Sequence, residues 1–243
     1  MVLTLHHLGI SQSERIVFLL EELGMEYNLV KYTRDPLLAP ASFKSLPGNH
    51  TGSAPFFEDP EARIALSESG AIADYILAKY ASEGGKIRLT KNYGDPGYSD
   101  YIYYFHFANA TLQPALARVM LLGIGGAAED NPMVQYATHS MHQAFKILED
   151  HLGTKKWLAG DDFTAADCMM VYSLTTQRYF GPLVGYEKYP NIVRYLKDVG
   201  ERSAYRRAME KGDPEMQLLL GAEAPKKSLL EVGGVVSNDW KKM

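Results

Sequence analysis

The run VLTLHHLGISQSERIVFLLEELG, residues 2–24, carries a complete strand-to-helix transition. Residues 2–8 are a short apolar run that reads as a buried strand. Ser11-Gln-Ser-Glu14 then reads as a capping box, a hydroxyl and a carboxylate three residues apart at a helix start. Ile16, Val17, Leu19, Leu20 and Leu23 recur at helical spacing, and Gly24 is placed to stop the helix. Outward from this unit, Tyr27 to Tyr32 reads as a second strand, and residues 33–52, rich in Pro, Gly, Ser and Asn, as loop or short irregular helix. Phe56-Phe57 and Arg63 to Leu66 flank a Glu58-Asp59-Pro60 turn and suggest two short antiparallel strands. A helix follows from Ser69 to Ala81, with Ile72, Ile76 and Tyr80 on one face. The first 80 residues therefore spell β-α-β-loop-β-β-α.

Beyond this small α/β unit the pattern changes. Ser82-Glu-Gly-Gly85 and Asn92-Tyr-Gly-Asp-Pro96-Gly97 mark a linker, after which helical periods dominate. Tyr98 to Leu122 reads as a long helix kinked at Pro114, with Tyr101, Tyr104, Phe105 and Phe107 crowded along it. Met141, Phe145, Leu148 and Leu152 define another helical face. Thr164-Ala-Ala-Asp167 is a second capping box, opening a helix with an apolar body from Met169 to Leu174, and Tyr189 to Val199 gives a fourth helix. The expected division is 1–82, a linker at 83–97, an all-helical domain at 98–220 and a C-terminal extension at 221–243. That extension lacks a clear period. Yet Leu229, Leu230, Val232, Val235, Val236 and Trp240 are more apolar groups than a solvated tail holds, so docking on the helical domain is expected.

Composition narrows the function. Of 243 residues 46% are apolar and 22% charged, the balance of a folded globular protein. Twenty-five basic against 29 acidic residues leave a net charge of −4, with no surplus to hold a phosphate backbone, so nucleic acid is not an expected partner. One cysteine, Cys168, forms no internal disulfide and no cysteine-rich zinc site, which suits a reducing compartment such as the cytosol. His139 and His142 stand three apart without a carboxylate or cysteine to complete a ligand set, so no metal is expected. The N-terminus lacks a signal-peptide pattern. The most apolar stretch, Val119 to Ala128, falls short of the roughly 20 residues a spanning helix needs, so no transmembrane segment is expected.

Three short motifs sharpen the reading: Ser11-Gln-Ser-Glu-Arg15-Ile16 after the first strand, Gly52-Ser-Ala-Pro55 before the third, and Glu68-Ser-Gly-Ala-Ile72 opening a helix. In this order they resemble the thioredoxin-like domain of a serine-type cytosolic glutathione S-transferase. Phe163-Thr-Ala-Ala-Asp167 resembles the capping box of that family's helical domain. Glu68-Ser69-Gly70 and Phe107-Ala-Asn-Ala-Thr-Leu-Gln-Pro114 further resemble the fungal class related to the endoplasmic-reticulum-associated yeast enzyme.

The resemblance implies a thioredoxin-like α/β domain followed by an all-helical one. It implies a homodimer in the cytosol, peripheral to the endoplasmic reticulum membrane, without metal or bound cofactor. Glutathione would be the co-substrate and a small apolar electrophile its partner, in detoxification or secondary metabolism. The alternative is a non-catalytic binding or regulatory protein of the same fold. Ser11 would aim its hydroxyl at the glutathione sulfur, with Ser13 as the alternative. A donor there stabilises the thiolate, and the helix N-terminus adds its positive end. Ala54, ahead of a cis Pro55, would pair its backbone with the peptide. Glu68 and Ser69 would hold the γ-glutamyl end, and Lys44 or His50 the glycine carboxylate, since Ser53 replaces the family's longer side chain. Tyr104, Ala108 and Arg118 would line the electrophile site, while Thr164 and Asp167 would be structural. A tyrosine-type site lacks a Tyr before the first helix. A cysteine-type site is excluded by the distance of Cys168 along the chain.

Overall fold

A computed structural model describes residues 2–80, 88–236 and 238–242. Strand β1 (Leu3–Leu8) runs parallel to β2 (Tyr27–Tyr32), joined to it through α1 (Glu14–Leu23). On its other side β1 pairs antiparallel with β3 (Phe56–Asp59), which forms a hairpin with β4 (Ile64–Ser67), giving the order β2-β1-β3-β4. A central strand has both faces covered, and five of the six β1 residues are buried, His6 and His7 among them. Gly24 ends α1 in the left-handed region (φ 63°), where a residue without Cβ meets no clash. The loop before β3 holds one helical turn, α2 (Ala41–Lys44), and α3 (Ser69–Tyr80) follows β4 and packs beside α1. This is a thioredoxin-like unit.

Helices build the rest: α4 (Tyr98–Phe107), α5 (Gln113–Ile124), α6 (Pro132–Leu152), α7 (Ala165–Leu174), α8 (Pro190–Glu201) and α9 (Ser203–Gly212). All ten residues of α7 are buried, so its sequence is apolar on every side and it forms the axis of this layer. Its start is a closed box. Asp167 Oδ2 accepts from the Thr164 backbone N–H at 2.8 Å, and Asp167 Oδ1 accepts from Leu158 N–H at 3.0 Å. Helix α1 joins the two layers. Nine of its ten residues are buried, Phe18 packs on Phe163 and Tyr205, and Glu21 and Glu22 form ion pairs with Arg207, Lys211 and Arg202.

Four features depart from the sequence expectation. The kink ascribed to Pro114 is a π-helical turn at Ala108–Leu112 between α4 and α5. Proline has no N–H and its ring presses on the carbonyl four residues back, so the wider turn ahead of Pro114 relieves both. Helix α9 was not anticipated, although its buried residues Ala204, Tyr205, Ala208, Met209 and Gly212 recur at helical spacing. Taken as one run, Tyr98–Ile124 is long and apolar enough to cross a membrane by length and composition, where no such segment was expected. One of its faces, including Tyr101, Phe105, Leu112 and Leu116, packs into the core as in the helix of a folded domain. The tail is docked: Leu229 is fully buried and donates its N–H to Tyr179 O, and Val235 N–H reaches Pro36 O at 3.1 Å, so the tail touches the first domain as well as the helical one. Of the expected linker, residues 83–87 and the Ser82-Glu-Gly-Gly85 motif lie outside the described residues.

Candidate functional site

The first turn of α1 does not form the box its sequence suggests. Its backbone starts as expected, Glu14 N–H donating to Ser11 O at 3.1 Å, but the Glu14 carboxylate turns away. It accepts from the hydroxyls of Thr175, Thr176 and Tyr205 in the helical domain. Burial there pushes its pKa up to about 7, against the opposing hydrogen bond from Thr176. Three neutral hydroxyls in a dry interface hold the carboxyl group better than one backbone N–H at a helix end. Ser11 Oγ still accepts from Ser13 N–H at 3.3 Å, a cap on the first turn, and keeps its own proton to give. Its Oγ donates to Leu8 O at 2.6 Å and lies 2.7 Å from Ser13 Oγ.

Ser11 and Gln12 form one wall of an open cavity of about 630 Å³ between the two domains. Lys44, Asn49 to Ala54 and Arg34 come from the first domain, and Gln113 and Tyr172 come from the helical one. Ser13, two residues on, is fully buried and outside the lining. The Ala54–Pro55 bond is cis. The expected pairing of the Ala54 backbone is narrowed to its N–H, because Gln12 Nε2 donates to the Ala54 carbonyl at 3.0 Å. Lys44, His50 and Ser53 are exposed along the cavity wall.

Behind this wall lies Arg15, completely buried. Its Nη1 donates to Asn109 Oδ1, to Gln113 Oε1 at 2.9 Å and to Gln12 Oε1 and Ser69 Oγ at 3.3 Å, and its Nη2 to Ser173 Oγ at 3.0 Å. All these partners are neutral, and burial lowers the guanidinium pKa to about 10. Its carbon lies 5.1 Å from the centre of the Tyr172 ring. Glu68 is exposed at a positive φ of 73° just before α3, and the buried Ser69 hydroxyl accepts from Arg15 and Asn109. Both stand at the N-terminus of α3, outside the lining of the Ser11 cavity.

The expected electrophile residues are not on this cavity. Tyr104 is buried with its ring 4.3 Å from that of His151, Ala108 is fully buried, and Arg118 is exposed. The register of α4 and the π turn puts Asn109 and Gln113 toward the first domain instead. Sequence reading missed Gln12, Arg15 as a hub, Asn109, Gln113 and Tyr172. Asn109 and Gln113 had a signal, being the polar residues in the stretch Phe107 to Pro114. Tyr172 had none, since it lies within the apolar body of α7. Among the described residues no three His, Cys, Asp or Glu side chains group as metal ligands. Cys168 is buried in α7, and desolvation raises its thiol pKa well above the usual range.

Comparison with known proteins adds an independent line. Residues 1–78 match the family model for the glutathione S-transferase N-terminal domain, and residues 104–202 match that for the C-terminal domain. A curated relative, glutathione S-transferase 3 of Schizosaccharomyces pombe, is 28% identical over 230 residues, covering 86% of this chain and 88% of its own. A solved glutathione S-transferase from Actinobacillus pleuropneumoniae superposes with a TM-score of 0.74 at 30% identity, covering 87% of this chain and 93% of its own. A glutathione transferase from Phanerochaete chrysosporium, solved with oxidized glutathione, superposes at 0.69 and 20% identity, covering 87% and 95%.

Proposed function

The chain belongs to the glutathione S-transferase family, and from that premise we propose that the interdomain cavity holds glutathione with its sulfur against Ser11. The observation that carries this reading is one hydroxyl on a cavity wall at the N-terminus of α1, whose proton rests on Leu8 O. A free thiol is only a few per cent ionised near neutral pH. The Ser11 O–H, turning from Leu8 O to the sulfur, stabilises the thiolate as it forms. The α1 dipole and the buried Arg15 cation, held by neutral partners only, add positive potential to the same place. Ser11 is an electrostatic catalyst here and forms no covalent bond.

Around that point, the γ-glutamyl end lies at the α3 N-terminus, its carboxylate on Ser69 and its ammonium on Glu68. Ala54 N–H pairs with the peptide, and the exposed Lys44 and His50 take the glycine carboxylate. The electrophile is a small apolar molecule entering between Leu38, Ala39 and the Tyr172 ring, apolar groups on the same cavity lining. The thiolate attacks its electrophilic carbon, forming a C–S bond as the leaving group departs with the bonding pair. The role is detoxification or secondary metabolism in the cytosol. The exposed apolar residues of α4 and α5, Ile102, Tyr103, Leu121 and Ile124, support assembly as a homodimer. Turnover of a generic aryl halide by Ser11→Ala and Ser13→Ala variants tests the assignment. A silent Ser11→Ala with a crippled Ser13→Ala overturns it.

A further inference from the structure

A chain of polar groups runs inward from Ser11. Ser11 Oγ lies 2.7 Å from Ser13 Oγ, Ser13 Oγ lies 2.7 Å from His7 Nδ1, and His7 Nε2 lies 3.2 Å from Asp213 Oδ2. All four side chains are buried. The surroundings are shaped to this pair. Asp213 Oδ1 accepts from Ile10 N–H at 2.9 Å, and Arg34 donates to the Ile10 carbonyl at 2.7 Å. Ile10 is thereby held at φ 52°, a conformation β-branched residues rarely adopt. A Cβ on Gly212 would stand 3.2 Å from the His7 ring, and one on Gly9 would stand 3.2 Å from Asp213 Oδ1. Two glycines therefore let the end of α9 close on the end of β1.

We propose that His7, held by Asp213, is a positioning residue that sets the direction in which Ser13 and Ser11 donate, and so whether the Ser11 proton reaches the glutathione sulfur. This rests on the Ser11 reading above. A hydroxyl has one proton to give. For Ser11 to donate to the sulfur, Ser13 must donate to Ser11, and His7 Nδ1–H must then donate to Ser13. The Asp213 carboxylate stands 3.2 Å from Nε2, outside hydrogen-bond alignment. The arrangement that frees Ser11 is therefore one with a proton on His7 Nδ1. Without that proton Nδ1 is an acceptor. Ser13 then turns inward to it, and Ser11 spends its proton on Ser13.

Other charges around the pair come from every element packed on it. Glu14 of α1 feels the Asp213 charge, and Lys31, Tyr32, Arg34, Glu215 and Lys241 line the small cavity beside His7. None of these is joined to Ser11 through Ser13.

The test is the pH profile of kcat/KM for glutathione, read by shape and not by amplitude. In the wild type the profile rises as the thiol ionises, then falls about 10-fold per pH unit once His7 loses its Nδ1 proton. Ser13→Ala cuts the chain. Asp213→Asn presents an amide that lets a neutral imidazole keep Nδ1–H, with the packing retained. In both variants the alkaline fall should shrink to less than about 2-fold over the same range, whereas a purely structural role would change melting temperature and amplitude and leave the fall in place. A fall that persists in both variants, or its absence in the wild type, overturns the proposal. Ser11→Ala separates this from the parent reading. If that variant raises the apparent pKa of the bound thiol, seen by thiolate absorbance, while the fall survives in the other two, only the role of His7 is lost. If Ser11→Ala leaves the bound thiol unchanged, the Ser11 assignment fails and the proposal fails with it.

Discussion

Two helices in this chain start with the same signature, Ser11-Gln-Ser-Glu14 at α1 and Thr164-Ala-Ala-Asp167 at α7. At α7 the box closes. Asp167 returns to the Thr164 N–H, also takes Leu158 N–H, and the terminus is sealed in the core. At α1 it stays open. Glu14 crosses to Thr175, Thr176 and Tyr205, and Ser11 is left with Leu8 O and Ser13. The flanking residues make the difference. At the α7 start the donors on the carboxylate, Thr164 N–H, the Thr164 hydroxyl and Leu158 N–H, all lie beside the cap in the buried core. The α1 start lies at a domain interface rich in hydroxyls. A cap hydroxyl sealed in the core, as at Thr164, is structural, and one on a cavity wall, as at Ser11, has a proton to give a ligand.

The widest separation between the two starts is expected in turnover. Ser11→Ala should lower kcat about 10- to 1000-fold with glutathione affinity within a few fold, because one donor to a developing anion is worth about that much. Steady-state kinetics at saturating glutathione check it, and a Ser11→Ala enzyme of near-normal kcat would erase the distinction.

Next comes pH. Glu14 titrates near 7 in the folded chain against an ordinary value of 4.5. Between those values the folded state holds a proton the unfolded state has lost, so stability falls as pH rises through that window, by up to about 3 kcal/mol. Asp167, raised to about 6 by burial, has the same sign over a lower window. Glu14→Gln should therefore flatten the decline in melting temperature between pH 5 and pH 8 and leave only its lower part. Wild-type and variant curves that run parallel would show that the Glu14 carboxyl group is not held protonated at the interface.

The smallest effect belongs to the closed box. Thr164→Ala should destabilise the fold by about 1–2 kcal/mol in chemical denaturation, with kcat of the folded molecules unchanged. Lost turnover at normal stability would mean that α7 also serves the chemistry.

How much of this was legible in the sequence depended on how local the physics is. The strands, α1, α3 and the α7 box follow from period and capping, and they stand where the residues placed them. Helix α9 was legible as well, since Ala204, Tyr205, Ala208 and Met209 recur at helical spacing, but the expectation passed over it. The roles of Glu14 and Arg15 were not legible. Each is a charged residue on the first helix, and only the arrival of residues 109, 113, 173, 175 and 176 from far along the chain gives it partners. The expected electrophile residues lie off the Ser11 cavity for a related reason, since the π turn sets which face of α4 and α5 meets the first domain, and a period of 3.6 does not anticipate it.

The most direct test of the open α1 terminus is a crystal structure of the full chain with glutathione. The expected result is a sulfur within about 3.5 Å of Ser11 Oγ, a distance at which the hydroxyl can donate to it, with the Leu8 contact given up. A sulfur held by another group, with Ser11 still on Leu8 O, would contradict the account.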